Sequence, residues 1–215
     1  MSHPKNEWAM LRFIGLFITL IFSTLASNAQ SVGFFPEMVF GHRSISYQHY
    51  VSHNFNEKWS VNNVSLFDTE YNNDANNTFF IRNMLSYNIN KHFKVNAAIG
   101  VKNPGAFATI TSQYQYSASS FKISYAIGST YQNGFTLEQT LILNYTPTLT
   151  KNIKAYLNLF VVVNTDLKIL NRGIQQLRIG IKKEKFTTGI AINLDQFTKA
   201  EKTLENFGFF IKYNF

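Results

Sequence analysis

The 215-residue sequence predicts an all-β fold, an antiparallel up-and-down β-barrel of about twelve strands that crosses a membrane. Three observations predict it. Runs of about ten residues alternate apolar and polar side chains with period two, as a strand with unlike faces does. No run after Ala29 approaches the ~20 apolar residues of a spanning helix. The charged fraction is 15% and the aromatic fraction 16%, where soluble domains carry about 25% charged residues.

The first 29 residues read differently. Lys5 and Arg12, diluted by Glu7, precede an apolar stretch at 13–26, and Ser27 and Ala29 are small residues at −3 and −1 before Gln30. This is the layout of a cleaved export signal, and it leaves residues 30–215 as a single barrel domain. Cleavage removes two basic residues and one acidic one, so the mature chain keeps most of the net charge of +8. Its Lys and Arg are scattered singly, without the cluster that nucleic-acid binding needs. The absence of cysteine excludes disulfides, zinc–thiolate sites, thiol catalysis and a Cys-linked lipid.

Strands are expected at 31–40, 43–54, 59–69, 78–89, 93–102, 106–117, 121–131, 134–146, 153–164, 172–183, 186–195 and 205–215. The clearest is "FKVNAAIGV", with Phe93, Val95, Ala97, Ile99 and Val101 on one face and Lys94, Asn96, Ala98 and Gly100 on the other. In 59–69 the alternation changes phase around Val61 to Val64, which predicts a bulge. The 31–40 segment contains Pro36, which cannot donate to a ladder and belongs at an edge or bulge. Without that segment the count is odd, and ten strands is the alternative. Connections such as "NFNEKW" and "KKEKF" read as tight turns at one end, and "NNDANN" and "DLKILN" as longer loops at the other. "HFKVN", "SFKIS" and "NIKAY" follow three of the tight turns, each placing an apolar side chain at the lipid boundary and a Lys just beyond it.

Alternation alone also fits a soluble barrel with its apolar face inward. The polar face decides. It is small and mostly uncharged, with Ser124, Ala126, Gly128 and Thr130 in one strand and Gly189, Ala191 and Asn193 in another. Soluble outer surfaces carry far more Glu and Lys. Ten residues rising ~3.3 Å each and tilted ~45° span a little under 25 Å, the height of an outer-membrane apolar band. The apolar face therefore meets lipid, and closure of the sheet satisfies the backbone.

The chain finishes "FGFFIKYNF", with Phe209, Ile211, Tyr213 and Phe215 at alternating positions. This resembles the C-terminal signature of bacterial outer-membrane β-barrels. The resemblance implies residence in the outer membrane of a Gram-negative bacterium, contact with its lipid, and recognition of the last strand by the barrel-assembly machinery. It also implies an inward-running last strand, so that an outward strand must precede 43–54, which makes twelve. The short strands, Asn-rich loops and Gln30 resemble outer-membrane proteins of the Bacteroidota.

Chemistry is sparse. His42 and Ser44 are two apart, so on a strand they share the lumen face as candidate base and nucleophile. The pair resembles the His-x-Ser of outer-membrane phospholipases and lipid A deacylases in those two letters only, since Ile45 and Ser46 follow. His49 and His53 sit about 13 Å apart along a strand, too far for one metal. No phosphate loop, HExxH or GxSxG occurs, and no cofactor or metal is expected. By parity the lumen charges are Arg82, Lys94, Lys122, Glu138, Lys154, Arg178, Lys182 and Lys212, a strongly cationic set. The sequence therefore predicts a non-enzymatic outer-membrane barrel with a structural, binding or narrow-transport role. The alternatives are an anion-preferring pore and a lipid hydrolase using His42 and Ser44.

Overall fold

A computed structural model describes residues 32–197 and 203–215; the expected export signal at 1–29 lies outside them. Twelve strands follow in order: β1 (Gly33–Gly41), β2 (Ser44–Asn54), β3 (Trp59–Glu70), β4 (Thr78–Asn88), β5 (Phe93–Lys102), β6 (Gly105–Ser117), β7 (Phe121–Tyr131), β8 (Phe135–Tyr145), β9 (Lys154–Thr165), β10 (Leu170–Lys183), β11 (Phe186–Phe197) and β12 (Leu204–Tyr213). One short 3₁₀ turn, Asp74–Asn76, interrupts the β3–β4 connection. Each strand pairs antiparallel with its sequence neighbours, and β1 pairs with β12, so the barrel is closed.

Closure runs through the segment that contains Pro36. β1 pairs with β2 from Gly33 to Phe40, but with β12 only from Glu37 to Gly41. The Phe34 carbonyl accepts the Phe215 amide at 3.1 Å, so Phe34 presents its polar groups toward β12. Pro36 has the same parity, and its missing N–H falls on that side, before the β1–β12 ladder begins. The proline therefore removes no ladder bond.

Polarity is inverted relative to a soluble domain. Among the described residues only six apolar side chains are buried (Val39, Ala98, Phe107, Tyr156, Ala191 and Phe210), whereas Glu37, Asn62, Asn96, Thr130, Glu138, Arg178 and Asn206 are among many buried polar ones. Ile99, Ile110, Ile179, Ile190 and Phe209 stand exposed on the outside. Aromatic pairs ring the end where β1 begins, called here the lower rim: Trp59 with Tyr87, Phe93 with Tyr114, and Phe186 with Tyr213, at centroid separations of 4.8, 5.2 and 4.7 Å. This matches the girdle of a membrane barrel.

The lumen is partly filled by side chains. Tyr156, Gly180, Gly189 and Phe210 lie in one cross-strand row over β9 to β12. The two glycines leave room for the flanking rings, whose centroids come to 5.9 Å. A Cβ on Gly189 would lie 2.1 Å from the Ile179 carbonyl oxygen, so the position admits no side chain.

Two expectations fail. The predicted bulge is absent, for β3 keeps one unbroken register with both β2 and β4 across Val61 to Val64. The change of phase is instead a real change of polarity, with Val64 and Leu66 turned inward and Asn63 and Ser65 outward. The expected contrast of short turns and long loops also disappears. The longest connection at the lower rim, from Thr146 to Ile153, exceeds that from Tyr71 to Asn77 at the upper rim. The β9–β10 connection at that upper rim is tightened by Asp166, whose carboxylate accepts the backbone N–H groups of Ile169 and Lys168, both at 2.9 Å, and is held below its ordinary pKa by them.

Candidate functional site

The charged lumen is the candidate site, and its arginines organise it. Arg82 on β4 reaches Glu138 on β8 at 3.2 Å, past the three intervening strands. The other Glu138 oxygen accepts the Thr130 hydroxyl at 3.0 Å, and Thr130 meets Thr109 at 2.8 Å. Polar side chains of four strands thus converge on one strut.

A second convergence lies on the wall where the barrel closes. The Arg178 Nε donates to Glu37 at 2.8 Å, with side-chain exposures of 2% and 3%. Its Nη1 donates to the Asn193 carboxamide oxygen at 2.8 Å and to the Leu177 carbonyl at 3.0 Å. Gln48 donates to the same Glu37 oxygen at 2.7 Å. The guanidinium also lies 5.9 Å from the Phe210 ring centroid. At the upper rim, Arg43 forks between Asp68 (2.6 Å) and Glu70 (3.2 Å), and Arg172 holds Asp195 at 2.5 Å. A planar fork with five donors suits such bridging better than an ammonium.

Among the described residues every ion pair is made by an arginine, and none by a lysine. Lys154 and Lys182 are direct cross-strand partners, and Thr187 links Lys182 to Lys212 in the next two strands. Lys122 stands at the start of β7, at the same rim. Lys94 lies on β5 opposite Gln113. These lysines form a basic belt toward the lower rim, and the lumen carboxylates are occupied elsewhere.

Parity reasoning listed Glu138 as the lumen's one acid, and four more line it: Glu37, Asp68, Glu70 and Asp195. Arg43, Arg172 and Lys102 were also missed. Asp68 and Glu70 share the parity of Ser60 and Asn62, so holding phase through the supposed bulge would have revealed them.

The hydrolase pair does not assemble. His42 lies in the two-residue turn between β1 and β2, not on a strand. Its Nδ1 accepts the Phe207 amide at 3.0 Å, and its ring stacks on the Phe207 ring at 5.6 Å. The buried Ser44 hydroxyl has no hydrogen-bond partner. Asn206 accounts for that turn instead: it is fully buried, accepts the Arg43 and Ser44 amides at 3.0 and 3.2 Å, and donates to the Ser44 carbonyl at 3.1 Å. No described group of His, Asp and Glu has the geometry of a metal site. His49 bonds to Tyr47 and Asn63 on the outer wall, and His53 packs edge-on against Phe55.

Comparison with known protein families finds no match, and comparison with curated proteins finds none either. Among solved structures the chain is similar to KdgM porin, with a TM-score of 0.55 at 8% identity over 86% of this chain and 99% of that one. It is also similar to NanC porin, with a TM-score of 0.53 at 8% identity over the same shares. A second KdgM structure, described as in complex with disordered oligogalacturonate, gives a TM-score of 0.53, 8% identity, and shares of 86% and 99%. The likeness is one of fold. At such identity it establishes a closed antiparallel barrel and carries over no site residue.

Proposed function

We propose that the chain is an outer-membrane β-barrel with a non-enzymatic role, a narrow passage or chamber for small hydrophilic solutes. One observation carries this: the lumen is polar but crossed by side chains, with the Arg82–Glu138 pair bridging β4 and β8. Such a strut narrows a water-filled barrel without plugging it with a domain. The porin fold of the similar structures supports the reading. His42, held on the β12 backbone, supports the absence of hydrolase chemistry. The C-terminal alternation of Phe209, Ile211, Tyr213 and Phe215 supports delivery by barrel-assembly machinery to outer-membrane lipid.

Conductance in planar bilayers tests the passage. Small openings are expected for the native chain, and larger ones for Glu138→Ala, which removes one end of the strut. A native and a variant barrel that both fail to conduct would make the lumen sealed. Phospholipid hydrolysis in detergent tests the other class, and measurable turnover abolished by Ser44→Ala would restore the enzyme.

A specific observation favours anion preference within this reading. The lower-rim lysines have no carboxylate partner, whereas each lumen acid named above is held by an arginine. An unpaired cation raises the local concentration of anions in a low-dielectric mouth. A reversal potential toward that of chloride is expected, and it should move toward neutrality in Lys154→Gln/Lys182→Gln.

A further inference from the structure

The outer wall of β2 to β4 carries a cluster of polar side chains where a membrane barrel should present hydrocarbon. His49 stands at the middle of β2, Asn63 and Ser65 near the middle of β3, and Asn83 at the middle of β4. His49 Nε2 is 3.1 Å from the Asn63 carboxamide oxygen, and Nδ1 is 3.2 Å from the Tyr47 hydroxyl. Ser65 donates to the same Asn63 oxygen at 3.1 Å, and Asn63 donates to Asn83 at 2.9 Å. The chain of bonds ends at Asn83, which is exposed and whose own amide N–H groups have no partner. Elsewhere the outer wall's polar groups are isolated or answered locally. Gln139 takes the Tyr125 hydroxyl, and Thr188 donates to the Phe210 carbonyl.

Beside Asn83 the same wall is indented. Ala106 and Ala108 lie low between Ile81, Ile99, Val101 and Tyr131, and they floor a groove of about 550 Å³ that Asn83 borders. Lipid tails can fill the groove, but they offer no acceptor to the amide.

We propose that this wall is the interface of a homodimer, with a second copy of this chain pairing Asn83 to Asn83 across a two-fold axis. The choice of a second copy follows from chemistry and symmetry. A primary amide is both donor and acceptor, so it is complementary to itself and two of them form a reciprocal pair. Copies inserted in the same orientation are related by an axis along the membrane normal, so residues of equal height meet. A polar group at mid-height on one wall then faces its own image, and the neighbouring groove takes an apolar side chain from the other copy. The small floor lets the two walls approach closely, as small residues do between membrane helices.

The absence of native cysteine makes the test clean. The refolded barrel carrying Asn83→Cys, in phospholipid vesicles at low protein-to-lipid ratio, should form an intermolecular disulfide. Ile179→Cys on β10 should stay reduced, because it lies on another wall. Single-molecule photobleaching of labelled native protein should show two-step traces. Asn63→Leu/Asn83→Leu should be monomeric, with association weakened on the order of tenfold per lost amide bond. Heat-modifiable gel mobility reports whether that variant is folded. A native barrel that bleaches in one step, or equal cross-linking at 83 and 179, overturns the proposal. Cross-linking at 83 only to a different protein, when vesicles are prepared from cells, also overturns it in favour of another partner.

Discussion

The wall of β9 to β12 and the wall of β2 to β4 differ in where they put polar groups. On the first, the outside is aliphatic and aromatic, with Ile179, Ile190, Phe207 and Phe209 exposed, and the inside holds Arg178, Lys182, Asn193 and Lys212. On the second, Val64, Leu66 and Phe80 turn inward, and His49, Asn63, Ser65 and Asn83 turn outward. Inward Phe80 stacks on Phe107 at 5.5 Å, and Lys102 lies 4.9 Å from the Phe107 ring, so this side of the lumen has an apolar lining. The pleat dictates that neighbours face opposite ways, but it does not dictate which face is polar. On a wall that faces hydrocarbon, polar groups are tolerated where they satisfy one another, because each unsatisfied group costs several kcal/mol there.

The largest effect that separates the walls should come from Glu37→Leu. It strands Arg178, 2% exposed, without its carboxylate. Breaking a buried pair costs ~3–5 kcal/mol, and Glu37→Leu/Arg178→Met should recover most of it. Denaturant titration in lipid measures both. A double variant no more stable than the single would mean that Arg178 matters for its bonds to Asn193 and the Leu177 carbonyl instead.

Next is the apolar outer face itself. Ile190→Arg near mid-height should cost ~2–4 kcal/mol. Asn83→Arg should cost less, since a polar group already stands there. Equal losses in the same titration would erase the distinction between the walls. On the lumen face Asn193→Arg should also be costly, because the Asn193 carboxamide holds Arg178 and an Arg there sets two guanidinium groups together.

Smaller still is the effect of close packing between strands. Gly189→Ala drives a methyl into the Ile179 carbonyl and should cost ~1–3 kcal/mol. Gly105→Ala meets nothing within 4 Å and should stay within about 0.5 kcal/mol of native. If the two glycines respond alike, the strands that flank Gly189 can part enough to admit a methyl group.

Below the loss at Gly189 comes that at Phe215. Its amide donates to the Phe34 carbonyl at 3.1 Å and its ring meets Tyr213 at 4.5 Å, yet it is 66% exposed. Deletion should cost ~1–2 kcal/mol in refolding and leave the barrel intact by gel mobility. In cells it should lower the folded level far more, if assembly reads this strand. Equal effects in both settings would make Phe215 simply structural.

Much of the architecture was legible before the structure, because a closed barrel with unlike faces writes its strands as local alternation. β5 and β7 fall where the pattern places them, most other ends differ by a residue or two, and the need for an even count selects the Pro36 segment as β1. The parity of Arg82, Glu138, Arg178 and Lys212 is likewise a local property. What alternation cannot carry is the choice of partner. Arg82 and Glu138 are 56 positions apart and Arg178 and Glu37 141 apart, and only closure of the sheet brings them together. His42 reads as a strand residue beside Ser44 until the β1–β2 turn and the β12 backbone take its ring. At Asn63 the polarity runs against the rest of the chain, so a one-residue phase change looked like a bulge. Only the pairing register shows that the strand is regular and that its polar groups face outward.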